Sequence, residues 1–300
     1  MSLPQAHAVG FAGLGLIGGS LALGLRESGF AASVTAWDRD PAVLEEGRSL
    51  GVIDVAVSSF AELLDAVDIV VIAVPTLACE ALLLEALRSP GRARCVTDVA
   101  SVKGPLCAAA ACLPLAQRAL YVPGHPIAGS ESSGVAAAQG GLFQSHRVIL
   151  SPSADTKSEA LALALAMWAS VGADVQQMSV KEHDSILART SHLPHVLAYA
   201  LVDALAQSSS RDDIFRFAAG GFRDFTRIAS SNPEMWRDIA IANRDALLDA
   251  IDDFSRQLTK LRGAVDAGDG DALEHTFRAA KEARDEFSRA LQERQAGESK

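Results

Sequence analysis

The apolar run Ala8–Ala12, followed by Gly13, Gly15 and Gly18 in a G-x-G-x-x-G frame, narrows the possible folds more than any other feature of the chain. The run fits a buried strand, and Leu21, Ala22, Leu23 and Leu25 continue as a helix. Gly13 permits the tight turn, Gly15 leaves room for a pyrophosphate, and Gly18 lets helix and strand pack closely. The helix start, with Leu16 and Ile17 in its first turn, offers phosphates unpaired N–H groups and a partial positive charge. A second β-rich stretch, Ser33–Asp38, ends in an acid 20 residues beyond Gly18. A carboxylate there accepts hydrogen bonds from an adenosine ribose and repels a 2′-phosphate. Arg39 is the opposing feature, since it suits a 2′-phosphate.

The rest of the first half alternates strand and helix. Asp68–Pro75 is the clearest buried strand, with Val74 and Pro75 at the end expected to border the nucleotide. Strand Cys95–Val99, helix Val102–Cys112 and strand Leu120–Val122 follow. This order predicts a doubly wound, mostly parallel sheet of Rossmann type. Gly124–Gly141 reads as a long glycine- and serine-rich loop, and long loops tend to be functional. Arg147–Leu150 and Asp174–Gln177 read as two last strands around a helix at 157–170. From Ser179 the pattern becomes helical. Leu247, Ile251, Phe254, Leu258 and Leu261 step by four and three along one face, a packing seam within or between chains. The expected division is 1–178 for a dinucleotide-binding domain and 179–300 for an all-α domain.

The chain has 300 residues and a net charge of -10, which disfavours nucleic-acid and anionic-membrane partners. An anionic substrate therefore needs local arginines. Cys79, Cys95, Cys107 and Cys112 have no metal-ligand spacing and suit free thiols in a reducing compartment. Residues 8–25 are apolar, but glycines interrupt them and no basic segment precedes them, so neither a signal peptide nor a membrane span is expected. The expected location is the cytoplasm.

Three polar clusters stand against the alanine-rich background. Thr97–Gly104 lies at the carboxyl end of a predicted strand, where open parallel sheets bind ligands. There Ser101 suits ligand contact, helix capping, or both. Gly124–Glu131 contains His125, held between a glycine and a proline. An imidazole at the ligand-bearing sheet edge suits the base a dehydrogenase needs, with an ordinary pKa near ~6.5. The third cluster joins His183-Asp184, Arg189–His195 and Gly220–Arg227. His192 and His195 stand three apart, but Pro194 and the lack of a carboxylate partner argue against metal ligation. Arg223 and Arg227 suit a dianionic small molecule. Surface pairing with Asp224 or Asp238 is the competing reading for Arg223.

Together Gly13–Ser20, Asp98–Lys103, Gly124–Gly129, Ser191–His195 and Gly221–Arg227 form an ordered series that resembles the prephenate (cyclohexadienyl) dehydrogenase family of tyrosine biosynthesis. The resemblance spans roughly residues 8 to 290. It implies an NAD-binding N-terminal domain, a helical dimerisation domain giving a homodimer, and an active site between them. His125 resembles the family's catalytic histidine, and Ser101 the serine that helps place the substrate hydroxyl. Ser191, His195 and Arg227 resemble substrate-pocket residues, the arginine binding carboxylate. Ser130, Glu131 and Asp224 resemble polar members of the same pocket, the two acids in a network reaching the dimer partner. Ile127 stands where a methionine is often seen.

The implied reaction is oxidative decarboxylation of prephenate, or of arogenate, without a metal. No mutase segment or regulatory module is expected at either end, so tyrosine would inhibit only by competition at the active site. Two rival readings share the glycine loop: a β-hydroxyacid dehydrogenase and a non-catalytic NAD-sensing module. The first needs a framed catalytic lysine, which Lys181, Lys260 and Lys281 do not supply. The second has no use for Ser101, His125 and Arg227 together.

Overall fold

The computed structural model describes residues 8–129 and 132–298. Its chain forms two compact units, Met1–Leu247 and Leu248–Lys300. The first begins with β1 (Ala8–Ala12), α1 (Leu16–Glu27), β2 (Ser33–Trp37), α2 (Pro41–Ser49), β3 (Val55–Ala56) and α3 (Phe60–Ala66). Then come β4 (Ile69–Ile72), α4 (Thr76–Arg88), β5 (Cys95–Asp98), α5 (Gly104–Ala111), α6 (Leu115–Arg118) and β6 (Tyr121–Val122). These six strands form one sheet in the order β3-β2-β1-β4-β5-β6, every pairing parallel. The order reverses beside β1, so the carboxyl ends of β1 and β4 flank the crevice where such sheets bind ligands.

Burial on both faces explains why Asp68–Pro75 shows no polar alternation. Ile69 and Val71 face one apolar cluster with Leu21, Leu25, Leu163, Met167 and Trp168. Val70 and Ile72 face the other, with Leu63, Leu83, Leu87 and Leu106. Burying each such side chain contributes about 1.5–3 kcal/mol. Local signals set the helix starts. Asp40 accepts from Ala42 N–H at 2.9 Å ahead of Pro41 in the first turn of α2, and Ser59 caps α3 by accepting from Glu62 N–H.

The segment from Gly124 corrects the loop reading. Gly124–Pro126 forms β7, which pairs antiparallel with β8 (Arg147–Leu150), and β8 pairs parallel with β9 (Asp174–Gln177). His125 therefore sits opposite Ile149 on a strand of a second, three-stranded sheet. Gly124 has no room for a side chain, because a Cβ there would stand 2.8 Å from the Asp98 carbonyl oxygen. The chain after β7 folds back on α1, where Gln139 N–H donates to the Ser20 hydroxyl at 2.9 Å. Helix α7 (Ser158–Ser170) joins β8 to β9.

A reciprocal Ser179–Glu182 capping box starts α8 (Val180–Leu187). A π-helical turn, Ala188–His192, links α8 to α9 (Leu193–Ala206). The expected long helices are interrupted here by short ones: α10 (Arg211–Arg216), α11 (Gly220–Thr226) and α12 (Pro233–Ala242). Helix α13 (Arg244–Asp266) runs into the second unit, which continues with α14 (Gly270–Glu298). Within that unit Phe254, Leu258, Val265, Phe277, Phe287 and Leu291 are exposed. No helix among the described residues is long and apolar enough to cross a membrane.

Candidate active site

At the end of β1, Gly13 adopts φ +92°, and a Cβ there would lie 2.6 Å from the Ala73 carbonyl oxygen. Gly18 meets the Gly13 carbonyl oxygen at the same 2.6 Å, which accounts for both glycines sterically. Nothing stands within 4 Å of a Cβ placed on Gly15. That face is open, and α1 begins with no side-chain cap and no acid in its first turn. Its N–H groups are left for an anionic ligand. Leu16 and Ile17 are half-buried on that first turn, and Val74 and Pro75 follow β4 beside the same turn. The Val74 side chain meets a Cβ placed on Gly13 at 2.8 Å. Asp38 leaves β2 with one carboxylate oxygen accepting from Leu14 N–H at 3.0 Å and the other from Asp40 N–H at 2.9 Å. The carboxylate is thereby fixed beside the glycine turn, while Arg39 is exposed. These residues fit a dinucleotide.

The second centre is a chain of three hydrogen-bonded side chains. His125 Nδ1 lies 2.8 Å from His183 Nε2, and His183 Nδ1 lies 2.8 Å from Asp184 Oδ1. A carboxylate only accepts, so His183 carries its proton on Nδ1 and leaves Nε2 bare. His125 must then donate from Nδ1, which leaves its own Nε2 as a free acceptor. Asp184 is held in turn by Lys103 N–H on Oδ1 at 2.9 Å and Gly104 N–H on Oδ2 at 2.7 Å. Burial raises the Asp184 carboxyl, but His183 and those two N–H groups outweigh it and hold it below its ordinary value. Burial pushes His125 well below the ordinary imidazole value, helped by His183, Lys103 and His192. The local shift is thus downward from the ordinary imidazole value near ~6.5, and the ring stays neutral at lower pH.

Asp184 also bears on the capping reading of Ser101. It caps the N-terminus of α5 from another part of the chain, so Ser101 does not serve as the cap. The Ser101 hydroxyl is half-buried and makes no hydrogen bond among the described residues. Beneath it, Asp98 and Lys103 form a fully buried ion pair, and Tyr121 donates to Asp98 Oδ2 at 2.7 Å. His183-Asp184 and the Asp98–Lys103 run stand out in sequence as polar clusters, but their contacts with His125 do not. The usable signal for His183-Asp184 was the capping box just ahead of it.

The substrate-side residues fall into two groups. His192 is buried, accepts from Asn243 Nδ2 at 3.0 Å, and is pushed by burial down to about 4. Asn243 Nδ2 also donates to the Asp184 carbonyl at 2.9 Å, tying His192 to the relay. His195 stacks on Trp236 with ring centres 3.5 Å apart, and its Nδ1 donates to the Ser191 carbonyl at 2.9 Å. Burial lowers His195, and Arg227 adds to the effect against the Ser191 hydrogen bond. Ser191, on the π-helical turn, Trp236 and Arg227, at the end of α11, thus surround His195. Asp224 and Arg223 pair with each other at 3.1 Å on the surface, the competing reading for Arg223. Ser130 and Glu131 lie outside the described residues.

An uncapped helix start behind an open glycine turn and a buried histidine whose Nε2 is bare fit a nucleotide-dependent oxidoreductase. The chain belongs to the prephenate dehydrogenase family: its nucleotide-binding domain profile matches residues 21–177 and its dimerization domain profile matches 179–279. Cyclohexadienyl dehydrogenase of Zymomonas mobilis is 36% identical over 91% of this chain and 93% of its own length. Prephenate dehydrogenase of Bacillus subtilis is 38% identical, covering 91% and 74%. The crystal structure of the A. aeolicus prephenate dehydrogenase with hydroxyphenyl propionate and NAD+ superposes with TM-score 0.88 at 35% identity, covering 95% of this chain and 100% of that one.

Proposed function

We propose that this protein oxidatively decarboxylates prephenate with NAD+ in tyrosine biosynthesis, with arogenate as the alternative substrate. The observation that carries the reading is His125 Nε2, left bare by the His183–Asp184 pair. Gly13, Gly15, Gly18, the first turn of α1 and Asp38 would hold NAD+, which supplies the hydride acceptor. Ser101 orients the ring hydroxyl, and His125 takes its proton on Nε2 as the carbon beneath gives up hydride. The carboxylate on the opposite ring carbon leaves as carbon dioxide, and its bonding electrons complete the aromatic ring. Aromatisation drives the reaction, so the protein's work is positioning and proton removal.

Arg227 binds the side-chain carboxylate, with Ser191 and His195 beside it. Ser130, Glu131 and Asp224 are assigned substrate-binding roles on the family resemblance alone. Residues 1–178 serve as the nucleotide half and 179–300 as the dimerisation half of a cytoplasmic homodimer. The family's dimerization-domain match and the exposed apolar side chains of the second unit support the homodimer.

Turnover of prephenate, arogenate and a panel of β-hydroxyacids with NAD+, followed by NADH absorbance, tests the reading. NADH formation with prephenate or arogenate supports it, and formation only with a β-hydroxyacid overturns it. Two variants check the parts. Arg227→Ala should raise the prephenate KM by roughly 10- to 100-fold, with the NAD+ KM nearly unchanged. The moderate factor reflects the exposure of this arginine; an unaltered prephenate KM would remove its role. Asp38→Ser should narrow or invert the ratio of kcat/KM for NAD+ over NADP+, and a wild-type preference for NADP+ would sink the assignment.

A further inference from the structure

The buried Asp98–Lys103 pair is not explained by stability. Both side chains are fully buried, and an apolar pair of similar volume is often as stable as a buried ion pair. Its position is more informative. The Lys103 ammonium donates to Asp98 Oδ1 and, at 2.6 Å, to the carbonyl of Gly124, the residue before His125. Asp98 is itself fixed by Ala100 N–H at 2.9 Å and the Tyr121 hydroxyl at 2.7 Å. The backbone N–H of the same lysine donates to Asp184 Oδ1, which also accepts from His183. One residue therefore grips both ends of the chain His125–His183–Asp184: the peptide carrying the base and the carboxylate that sets the tautomer.

We propose that Lys103 is a positioning residue for the reaction, spacing His125 and Asp184 along one hydrogen-bonded relay and placing its ammonium group beside the base. This rests on His125 being the base in the function proposed above. The groups around His125 are His183 and Asp184 on α8, His192 on the π-helical turn, and Lys103 with Asp98 at the end of β5. After burial and His183, the Lys103 ammonium is the next group that opposes protonation of His125. Close packing transmits the geometry, since Gly124 fits against the Asp98 carbonyl only for want of a Cβ.

The test is made on the full-length enzyme with prephenate and NAD+. Removing one ion alone strands the other, so the informative variant is Asp98→Asn with Lys103→Met, which removes both charges. Its kcat should fall by roughly 10- to 100-fold, as small misplacements of reacting groups do. The acid limb of kcat/KM should also move to higher pH, with the NAD+ KM unchanged. A folded double variant whose limb does not move overturns the proposal, whether or not kcat falls, because a purely structural loss would leave the limb in place. Lys103→Arg is the second arm, to be read even if the double variant fails to fold. It keeps the charge but not the reach, so the limb should stay while kcat drops; an unchanged kcat overturns the proposal. Failure of the unsubstituted enzyme to turn over prephenate or arogenate would instead refute the function proposed above.

Discussion

His125→Asn is expected to lower kcat by roughly 10²–10⁴-fold, the usual contribution of a general base. Asparagine keeps a polar group of similar reach but cannot take the proton. NAD+ affinity should hardly change, because the residues proposed to hold the dinucleotide lie on the glycine turn and Asp38. The pH profile is the more specific readout. The base must be neutral, so activity falls as pH drops through its pKa. Burial and the charge of Lys103 lower that pKa, so the acid limb of the unsubstituted enzyme lies below the ordinary imidazole value near ~6.5. In His125→Asn the limb should vanish. A variant with near-normal kcat and the same limb would transfer the role of base to another group, His195 being the next candidate.

The second large effect is expected at a residue that touches no substrate. Asp184 accepts three hydrogen bonds, from His183 Nδ1 and from the N–H groups of Lys103 and Gly104. In Asp184→Asn the amide brings a donor into a site that holds only donors: in place of Oδ2 it opposes Gly104 N–H, and in place of Oδ1 it opposes both Lys103 N–H and His183 Nδ1–H. If the amide N–H faces His183, that ring moves its proton to Nε2 and His125 must then accept at Nδ1. The His125 proton then sits on Nε2, where the substrate hydroxyl needs a lone pair. We expect kcat to fall about 10²-fold through lost orientation and tautomer, with the NAD+ KM unaltered. Equal kcat in the variant and the unsubstituted enzyme would show that the relay does not set the state of His125.

Much of this was legible in the sequence. The glycine frame, the acid beyond it and the doubly buried β4 follow from local pattern, because backbone sterics and two-sided burial act over a few residues. His125 was also legible, through its Gly–Pro flanks, but as a loop residue. A three-residue strand paired with β8 across more than twenty residues leaves no periodicity to read. The contacts that join His125 to the other polar clusters were hidden for a related reason. Asp98 and Lys103 are five apart across a loop, Lys103 and Asp184 are eighty-one apart, and neither spacing carries a pattern. The π-helical turn that presents Ser191 and His192 is marked in the sequence only by Pro194 just beyond it. Arg223 shows the reverse case: chemistry made it a candidate anion binder, and its neighbour Asp224 occupies it at the surface.

We expect His125 to be a neutral imidazole with its proton on Nδ1 and a bare Nε2, imposed by His183 and Asp184. Ring ¹⁵N chemical shifts of His125 in the uniformly labelled, unsubstituted protein measure this directly across a pH titration. A protonated Nδ1 and an unprotonated Nε2 are expected at neutral pH, persisting below the ordinary imidazole value. A proton on Nε2, or an imidazolium at neutral pH, would contradict this expectation.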